Sequence, residues 1–231
     1  MTMWRTLLSG ALALGVLTGC GSDQDQLAIG GLVRDLGSRV TGASVAEQAA
    51  ATEAAVLAIT PAQVAASPQP LARVRIEATG AAATMAEVDR KGPNSTWFSA
   101  DGGSFIFRDG MLTGTRGLGE DLMGLSAPGL AAAVRAGGST RVYRYLDGDE
   151  RLVDVTLTCL VDRAPHGPIT ILDRTHRVDQ ISEYCKGEDP FGDPLAFENF
   201  YWVESGTTRV WQSRQFISWK FGRAEIEVLK R

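Results

Sequence analysis

The chain has 231 residues, of which 44% are hydrophobic and 22% are charged, and this length and composition predict one globular domain with a buried core. It carries 23 Lys and Arg residues against 27 Asp and Glu residues, a formal net charge of -4. Because nucleic-acid binding requires a basic surface, this charge balance argues against a nucleic-acid partner.

The first twenty residues have the pattern of a secretory signal peptide. Arg5 supplies a positive charge, and Leu7–Leu17 form an apolar run of 11 residues. At about 1.5 Å per residue this run is too short to cross a bilayer core about 30 Å thick. It ends in the sequence LTGC, which resembles a bacterial lipobox, where the Cys is lipidated and becomes the first residue after cleavage. We therefore expect a signal peptide over residues 1–19, a lipidated Cys20 and a tether over residues 20–43; the alternative is a plain signal peptide with an incidental Cys20.

The lipobox also implies a membrane. In lipoproteins of this type an Asp directly after the Cys favours retention in the inner membrane, and here that position is Gly21. Each buried methylene of an acyl chain contributes about 0.8 kcal/mol, so two or three chains hold a soluble domain almost irreversibly. We expect a lipid-anchored protein on the outer membrane that faces the periplasm.

Helix signals come first in the rest of the chain, over residues 44–68. Ser44 and Glu47 form a capping box that predicts an Ala-rich helix ending near Ala58. Thr60–Gln63 form a second box with Pro at the first helical position, and Ser67-Pro68 ends that short helix.

Strand signals dominate from Leu71 onward. Val74, Ile76 and Ala78 alternate with charged residues, which is typical of a half-buried strand. Further strands are predicted over residues 82–88, 96–100, 169–178, 180–185 and 223–229. Three hairpins are predicted at turns of Asp109-Gly110, residues 147–149 and Ser205-Gly206, joining 104–108 to 111–115, 141–146 to 151–160 and 197–204 to 207–216.

These local returns favour antiparallel pairing. About ten strands in one domain require a barrel or a sandwich. The predicted fold is therefore mainly β, an antiparallel β-barrel-like or sandwich domain over residues 44–231 that begins with an Ala-rich helix.

Two further cysteines, Cys159 and Cys185, form an even pair in a protein with an export signal, which predicts a disulfide. Closing a loop of about 27 residues stabilises a fold by roughly 3–4 kcal/mol in the chain-entropy picture. His166 and His176, the two histidines of the chain, lie between these cysteines, so a Cys2His2 zinc site is the alternative. The spacing lacks the short Cys and His pairs of structural zinc sites, and we predict no metal.

Aromatic residues concentrate at the C-terminal end. If Ser205-Gly206 forms a two-residue loop, Phe200 lies opposite Trp211, and Trp202 lies opposite Arg209 on the same face. Exposed, the face of Trp202, Arg209 and Trp211 would suit sugar rings or a protein partner. Buried, it would belong to the core, which is the more common position for aromatic side chains on strands, and core is our prediction.

Sequence motifs for catalysis are missing. The chain has no HExxH or GxSxG motif, and the glycine-dense segment around Gly117 has no phosphate-loop pattern. We predict no catalytic residue and no cofactor.

Several segments together resemble the YjbF/GfcB family of capsule and exopolysaccharide lipoproteins. They are the lipobox Cys20, Thr60–Val64, Thr96-Trp97, Gly117–Leu122 and Trp211–Gln215. The resemblance implies an antiparallel β-barrel-like domain at the outer membrane and a role in polysaccharide export beside a large outer-membrane β-barrel protein. The family has no established catalytic residues, so none is transferred.

The leading hypothesis is an accessory outer-membrane lipoprotein that supports secretion of capsule or exopolysaccharide by binding a protein partner or the glycan. A periplasmic glycan-modifying enzyme is the first alternative, and it requires two carboxylates about 5–9.5 Å apart in one cleft. A lipid-carrying β-barrel with an apolar cavity is the second.

Overall fold

The computed structural model describes residues 45–147 and 149–231, and two short helices precede the first strand. Cys20, the tether and the capping residue Ser44 lie outside these residues. In the short helix Pro61–Ala66 the predicted capping box is present: the backbone amide of Gln63 donates to Thr60 Oγ1 over 3.3 Å, and Thr60 N donates to Gln63 Oε1 over 2.8 Å. The described residues form three helices, α1 Val45–Leu57, α2 Pro61–Ala66 and α3 Leu130–Ala136.

The rest of the described chain is mostly strand. There are 14 strands among the described residues, against about ten predicted. They are β1 Leu71–Ile76, β2 Ala82–Lys91, β3 Asn94–Ser99, β4 Ser104–Arg108, β5 Met111–Arg116, β6 Gly124–Ser126, β7 Gly138–Leu146, β8 Leu152–Pro165, β9 Ile169–Ile171, β10 Arg174–His176, β11 Val178–Glu188, β12 Pro194–Glu204, β13 Val210–Ser218 and β14 Gly222–Lys230.

Twelve of these strands form one antiparallel sheet in the order β5-β4-β3-β2-β1-β14-β13-β12-β11-β8-β7-β6. The sheet curls until its two edge strands, β5 and β6, meet. β5 also packs against β13, although neither β6 nor β13 is its neighbour in the hydrogen-bonded order. The result is a nearly closed barrel, as the sequence predicts. None of the helices among the described residues is long and apolar enough to cross a membrane.

Two of the predicted hairpins are confirmed. Asp109 and Gly110 join β4 to β5 with φ values of 51° and 82°, a left-handed pair that favours Gly at the second position. The Asp147 turn joins β7 to β8, and its carboxylate accepts from the amides of Asp149 and Arg151 over 2.9 and 2.8 Å.

The predicted register of the third hairpin, between β12 and β13, is wrong. Its loop has five residues, Ser205–Arg209, instead of two. Trp202 therefore pairs with Gln212 and Phe200 with Arg214, rather than with Arg209 and Trp211. The longer loop is stabilised by its own hydrogen bonds, which the sequence pattern Ser-Gly does not reveal.

The predicted single strand over residues 169–178 is also wrong. The chain reverses there at Leu172, whose φ is 55°, and forms the separate hairpin β9–β10. Ala78 lies in the exposed turn after β1 instead of continuing the inward face of Val74 and Ile76. The short elements β6 and α3 have no clear sequence signal and were not predicted.

The inner face of the barrel is filled by side chains. Alternating residues of each strand point inward, such as Val155, Leu157 and Cys159 of β8. Tyr143 and Tyr145 of β7 stack with ring centroids 6.5 Å apart, and Trp97 joins the same core. The inward pattern follows from the period of two that the sequence shows.

The predicted disulfide is confirmed between Cys159 of β8 and Cys185 of β11. The two residues are directly opposite each other in neighbouring strands, with Cα atoms 4.0 Å apart and an S–S distance of 2.06 Å. The bond therefore joins two neighbouring strands at the inner face of the barrel.

A charged pair is buried beside this disulfide. Arg141 Nε donates to Glu183 Oε1 over 2.6 Å, and Asn199 Nδ2 donates to Glu183 Oε2 over 2.9 Å. Burial works to lower the pKa of Arg141, but Tyr201, Tyr143 and the Glu183 carboxylate outweigh it and raise that pKa above its ordinary value. Arg141 is thus held in its charged form.

The outer face is covered over β1, β2 and β14. Helix α2 and the β9–β10 hairpin lie there, and their apolar side chains Val64 and Ile171 pack with Leu71, Ala86 and Leu229. This covering layer brings His176 of β10 to the start of β13.

Candidate functional site

A pocket of about 280 Å³ opens at one end of the barrel. Its walls come from the end of β4, the start of β3, the start of β13 and the end of β14, which all lie at the same end because the strands are antiparallel. Barrel mouths are a preferred place for ligand sites, since the core supplies an apolar wall and the loops supply polar groups. We call this pocket the mouth pocket.

Four core side chains contribute apolar surface to its wall: Ala72, Trp97, Phe107 and Ile226. The opposite walls are joined by Gln215, whose Oε1 accepts from Leu112 N over 2.7 Å and whose Nε2 donates to the Gly110 carbonyl over 2.8 Å. These bonds connect β13 with the β4–β5 hairpin and hold the pocket walls together.

Gly110 is required at that junction. A Cβ atom there would lie 2.6 Å from Val210 Cγ2, closer than side chains approach. The glycine therefore lets the β4–β5 turn meet the start of β13, in addition to adopting a positive φ.

The loop Ser205–Arg209 supplies polar groups to the pocket through Thr207, Thr208 and Arg209. Glu204 N donates to the Arg209 carbonyl over 2.8 Å, and Arg209 N donates to Thr207 Oγ1 over 3.1 Å. The loop is thus ordered by local bonds that fix where the Arg209 side chain begins.

Trp211 lines the pocket and contacts several side chains through its ring. The His176 ring stacks on it with centroids 3.9 Å apart, and the guanidinium carbons of Arg231 and Arg209 lie 5.2 and 5.8 Å from its ring centroid. Its buried Nε1 has no hydrogen-bond partner among the described residues. Ring contacts, rather than a hydrogen bond, therefore hold this indole.

Positive side chains dominate the pocket. The lining residues that the structure describes include three arginines, Arg90, Arg209 and Arg231, and one residue with a carboxylate side chain, Asp109. Arg90 and Arg209 each pair with a carboxylate outside the lining, Glu87 at 2.5 Å and Glu204 at 2.9 Å.

Arg231 differs from these two. Its guanidinium donates to the Val210 carbonyl and makes no ion pair with a carboxylate among the described residues. Burial, together with the charges of Arg209 and Arg90, lowers the pKa of Arg231 to about 10. It remains charged at neutral pH, in a position where other cations repel it.

The structure separates the three residues of the predicted aromatic face. Arg209 and Trp211 line the mouth pocket, and Arg209 lies near the Trp211 ring rather than the Trp202 ring. Trp202 contacts His166 and Phe200 outside the pocket. Both tryptophans are half-buried, so the face is neither fully core nor fully exposed.

Sequence reasoning missed Arg90, Arg231 and His176 as parts of the site. They are far apart in the chain, and only the curled sheet and the covering hairpin bring them to Trp211. No local motif marks any of them.

The zinc alternative is wrong, because both cysteine sulfurs are joined in the disulfide. His166 and His176 contact two different tryptophans, Trp202 and Trp211, instead of the cysteines. Glu183 is the residue that lies close to both sulfurs, and it is bonded to Arg141.

Comparisons with known proteins agree with this architecture. A solved structure, the hypothetical lipoprotein YmcC from Escherichia coli (K12), has a TM-score of 0.61 and 23% identity, covering 71% of this chain and 88% of that chain. At that identity the likeness shows the fold alone. No curated protein matches the chain. The family model described as group 4 capsule polysaccharide lipoprotein gfcB, YjbF, matches residues 42–229, and the chain therefore belongs to the YjbF family.

Proposed function

We propose that the protein is an accessory lipoprotein of capsule or exopolysaccharide secretion, anchored through Cys20 in the outer membrane with its barrel in the periplasm. The family match over residues 42–229 is the observation that carries this proposal. The mouth pocket supports action by binding, because its lining combines an aromatic ring, hydroxyl groups and guanidinium groups.

The pocket gives less support to a glycan-modifying enzyme. Glycoside hydrolysis by the common mechanism needs two carboxyl groups about 5–9.5 Å apart. In the described part of the chain, Asp109 is the one lining residue with a carboxylate side chain. We therefore propose a non-catalytic role.

A lipid-carrying barrel also receives less support. Tyr143, Tyr145 and Trp97 fill the inner face, and the buried pair Arg141–Glu183 lies among them. An acyl chain needs a continuous apolar path, and a buried ion pair interrupts one.

The protein partner we propose is an outer-membrane β-barrel of the export system. An apolar pair on the outer face of the sheet supports a protein contact: Leu160 is 66% exposed and Tyr184, directly opposite it on β11, is 44% exposed. Purification from membranes in mild detergent should recover such a barrel with the wild-type chain and less of it with Leu160→Ser/Tyr184→Ser. The control is Val88→Ser, because Val88 is also an exposed apolar residue but lies on β2. If the control and the double variant recover equal amounts of the barrel, this contact is contradicted.

The experiment that tests the function is deletion of the protein and measurement of cell-surface and secreted polysaccharide. We expect deletion to lower the exported polysaccharide and the wild-type chain to restore it. Unchanged export after deletion would show that the proposed function is wrong.

Cys20→Ser tests the anchor in the same cells. Without a thiol to acylate, the protein should move from the membrane fraction to the soluble periplasm and fail to restore export. If this variant still sediments with outer membranes after a high-salt wash, the anchor is not at Cys20.

A further inference from the structure

We infer that the mouth pocket binds an acidic sugar residue of a polysaccharide, with guanidinium groups at its carboxylate and Trp211 against its ring. The inference deepens the proposed function, on which it rests for the statement that the ligand is a glycan. It assigns a chemical class to the ligand and names the residues that select it.

The charge of the pocket is the first argument. Three guanidinium groups and one carboxylate side chain line it in the described residues, although the whole chain is acidic, with a net charge of -4. Arg90 and Arg209 are each paired with one carboxylate, and Arg231 has a carbonyl and an aromatic ring as its contacts. A carboxylate that enters the pocket would supply the missing anion.

The geometry around Trp211 is the second argument. The His176 ring covers one face of the Trp211 ring. Arg209 and Arg231 both lie within 6 Å of the Trp211 ring centroid, at 5.8 and 5.2 Å, so a ligand that touches the uncovered part of the ring also reaches both guanidinium groups. A planar guanidinium binds a carboxylate through two parallel hydrogen bonds, which a neutral hydroxyl does not offer. The arrangement therefore favours a sugar ring that carries a carboxylate group.

The remaining lining groups suit a sugar. Thr207, Thr208, Gln212 and Ser213 present hydroxyl and amide groups, while Trp97 and Phe107 present apolar surface. A sugar ring has an apolar face of C–H groups and a rim of hydroxyls, so it matches a wall of this composition. The volume of about 280 Å³ is at the small end of ligand pockets, which suits one or two rings rather than a long chain in the interior.

An anionic lipid headgroup is the rival source of negative charge, since the protein is expected at a membrane. The filled inner face leaves no path for its acyl chains beyond the pocket. The experiment below includes such a lipid as one of its arms.

The test uses the full-length lipidated protein in neutral detergent and measures binding by calorimetry and by tryptophan fluorescence. The probes are tetragalacturonic acid, the neutral maltotetraose and a short-chain phosphatidylglycerol. We expect tetragalacturonic acid to bind at least tenfold more tightly than maltotetraose. We also expect this preference to shrink between 0.05 and 0.5 M salt, because salt screens the guanidinium groups.

Arg209→Gln and Arg231→Gln should each weaken binding of the acid at least tenfold and so reduce its preference over the neutral sugar. Arg144→Gln is the matched control, because Arg144 and Arg209 are both 49% exposed and each is paired with one carboxylate. Urea unfolding of all three variants checks that they fold.

Four results would overturn the inference. They are equal affinity for the acidic and neutral sugars, binding of neither sugar, tighter binding of phosphatidylglycerol than of the acid, and equal loss of affinity in Arg144→Gln. Each of these results leaves the proposed function to the deletion experiment, which measures export directly and does not depend on what the pocket binds.

Discussion

Two arginine sites of this barrel follow opposite rules. Inside, Arg141 and Glu183 are 2% and 0% exposed and bonded over 2.6 Å, with Asn199 satisfying the second carboxylate oxygen. At the mouth, Arg209 and Arg231 converge on Trp211, and guanidinium groups outnumber carboxylate side chains in the lining.

The two sites differ because their charges are solvated differently. A charge inside the core loses its hydration, so it must be matched within hydrogen-bond distance or it destabilises the fold by several kcal/mol. At the mouth, the Arg209 side chain is 49% exposed, so its charge keeps contact with water and needs no matching partner for the chain to fold. The excess positive charge at the mouth is therefore not a requirement of stability and is available for a ligand.

Breaking the interior pair should have the largest effect. Arg141→Met leaves the Glu183 carboxylate buried without its cation, and we expect the free energy of unfolding to fall by about 3–5 kcal/mol. Arg209→Gln at the mouth should cost less than about 1 kcal/mol, because its pair is exposed. Urea unfolding followed by circular dichroism measures both values.

The double variant Arg141→Met/Glu183→Gln is the control for that comparison. It removes both charges, so it should recover part of the stability lost in Arg141→Met alone. Similar losses for Arg141→Met and Arg209→Gln would show that the two sites do not differ in the way described above.

Two tryptophans of the mouth pocket, Trp97 and Trp211, also differ in burial, and we expect their removal to affect stability differently. Trp97 is 4% exposed and its Nε1 donates to Ser95 Oγ over 2.9 Å, whereas Trp211 is half-buried. Trp97→Ala should therefore cost about 3–5 kcal/mol, as removal of a core aromatic does. Trp211→Ala should cost about 1–2 kcal/mol, since only part of its apolar area leaves water on folding.

Thermal and urea unfolding of the two variants decide between the core and contact-surface interpretations of Trp211. A loss for Trp211→Ala as large as that for Trp97→Ala would place Trp211 in the core, as the sequence-based prediction has it. A smaller loss combined with weaker binding of tetragalacturonic acid would make it a contact residue.

The fold was largely predictable because its signals are local. Asp109-Gly110 and the Asp147 turn fix two hairpins, Thr60 and Gln63 fix the start of α2, and alternating residues mark most strands. The disulfide followed from an even pair of cysteines in a chain with an export signal. The turns and the helix cap each depend on a few neighbouring residues, and the disulfide depends on the redox compartment.

The mouth pocket was not predictable because it depends on contacts between distant residues. The register of β12 and β13 is set by the five-residue loop Ser205–Arg209, and a shorter loop would have placed Arg209 beside Trp202. His176 reaches Trp211 only because the chain reverses at Leu172, a residue type that rarely adopts a positive φ. A single sequence contains no signal for either event.

The smallest effect expected is the titration of His176, which lies against Trp211. Burial lowers the pKa of this imidazole below its ordinary value of 6.5, the Arg174 charge lowers it further, and the Glu204 charge opposes both. Because the chain has two histidines, His166→Gln leaves a single imidazole signal, and its proton resonance titrated by NMR reports the pKa of His176 directly. In that background Arg174→Gln should raise the measured pKa, and Glu204→Gln should lower it.

The same shift predicts a small pH dependence of stability with a defined sign. Since the pKa of His176 is lower in the folded chain than in the unfolded one, the unfolded chain binds the proton first as the pH falls below about 6.5. Stability is therefore lost as the pH falls from about 6.5 through the folded-state pKa, and it is regained as the pH rises. Unfolding of the wild type and of His176→Gln across this range isolates the contribution, because the variant lacks the group. A folded-state pKa above 6.5 would reverse the sign, and it would mean that the burial of His176 against Trp211 and the charge of Arg174 do not outweigh the charge of Glu204.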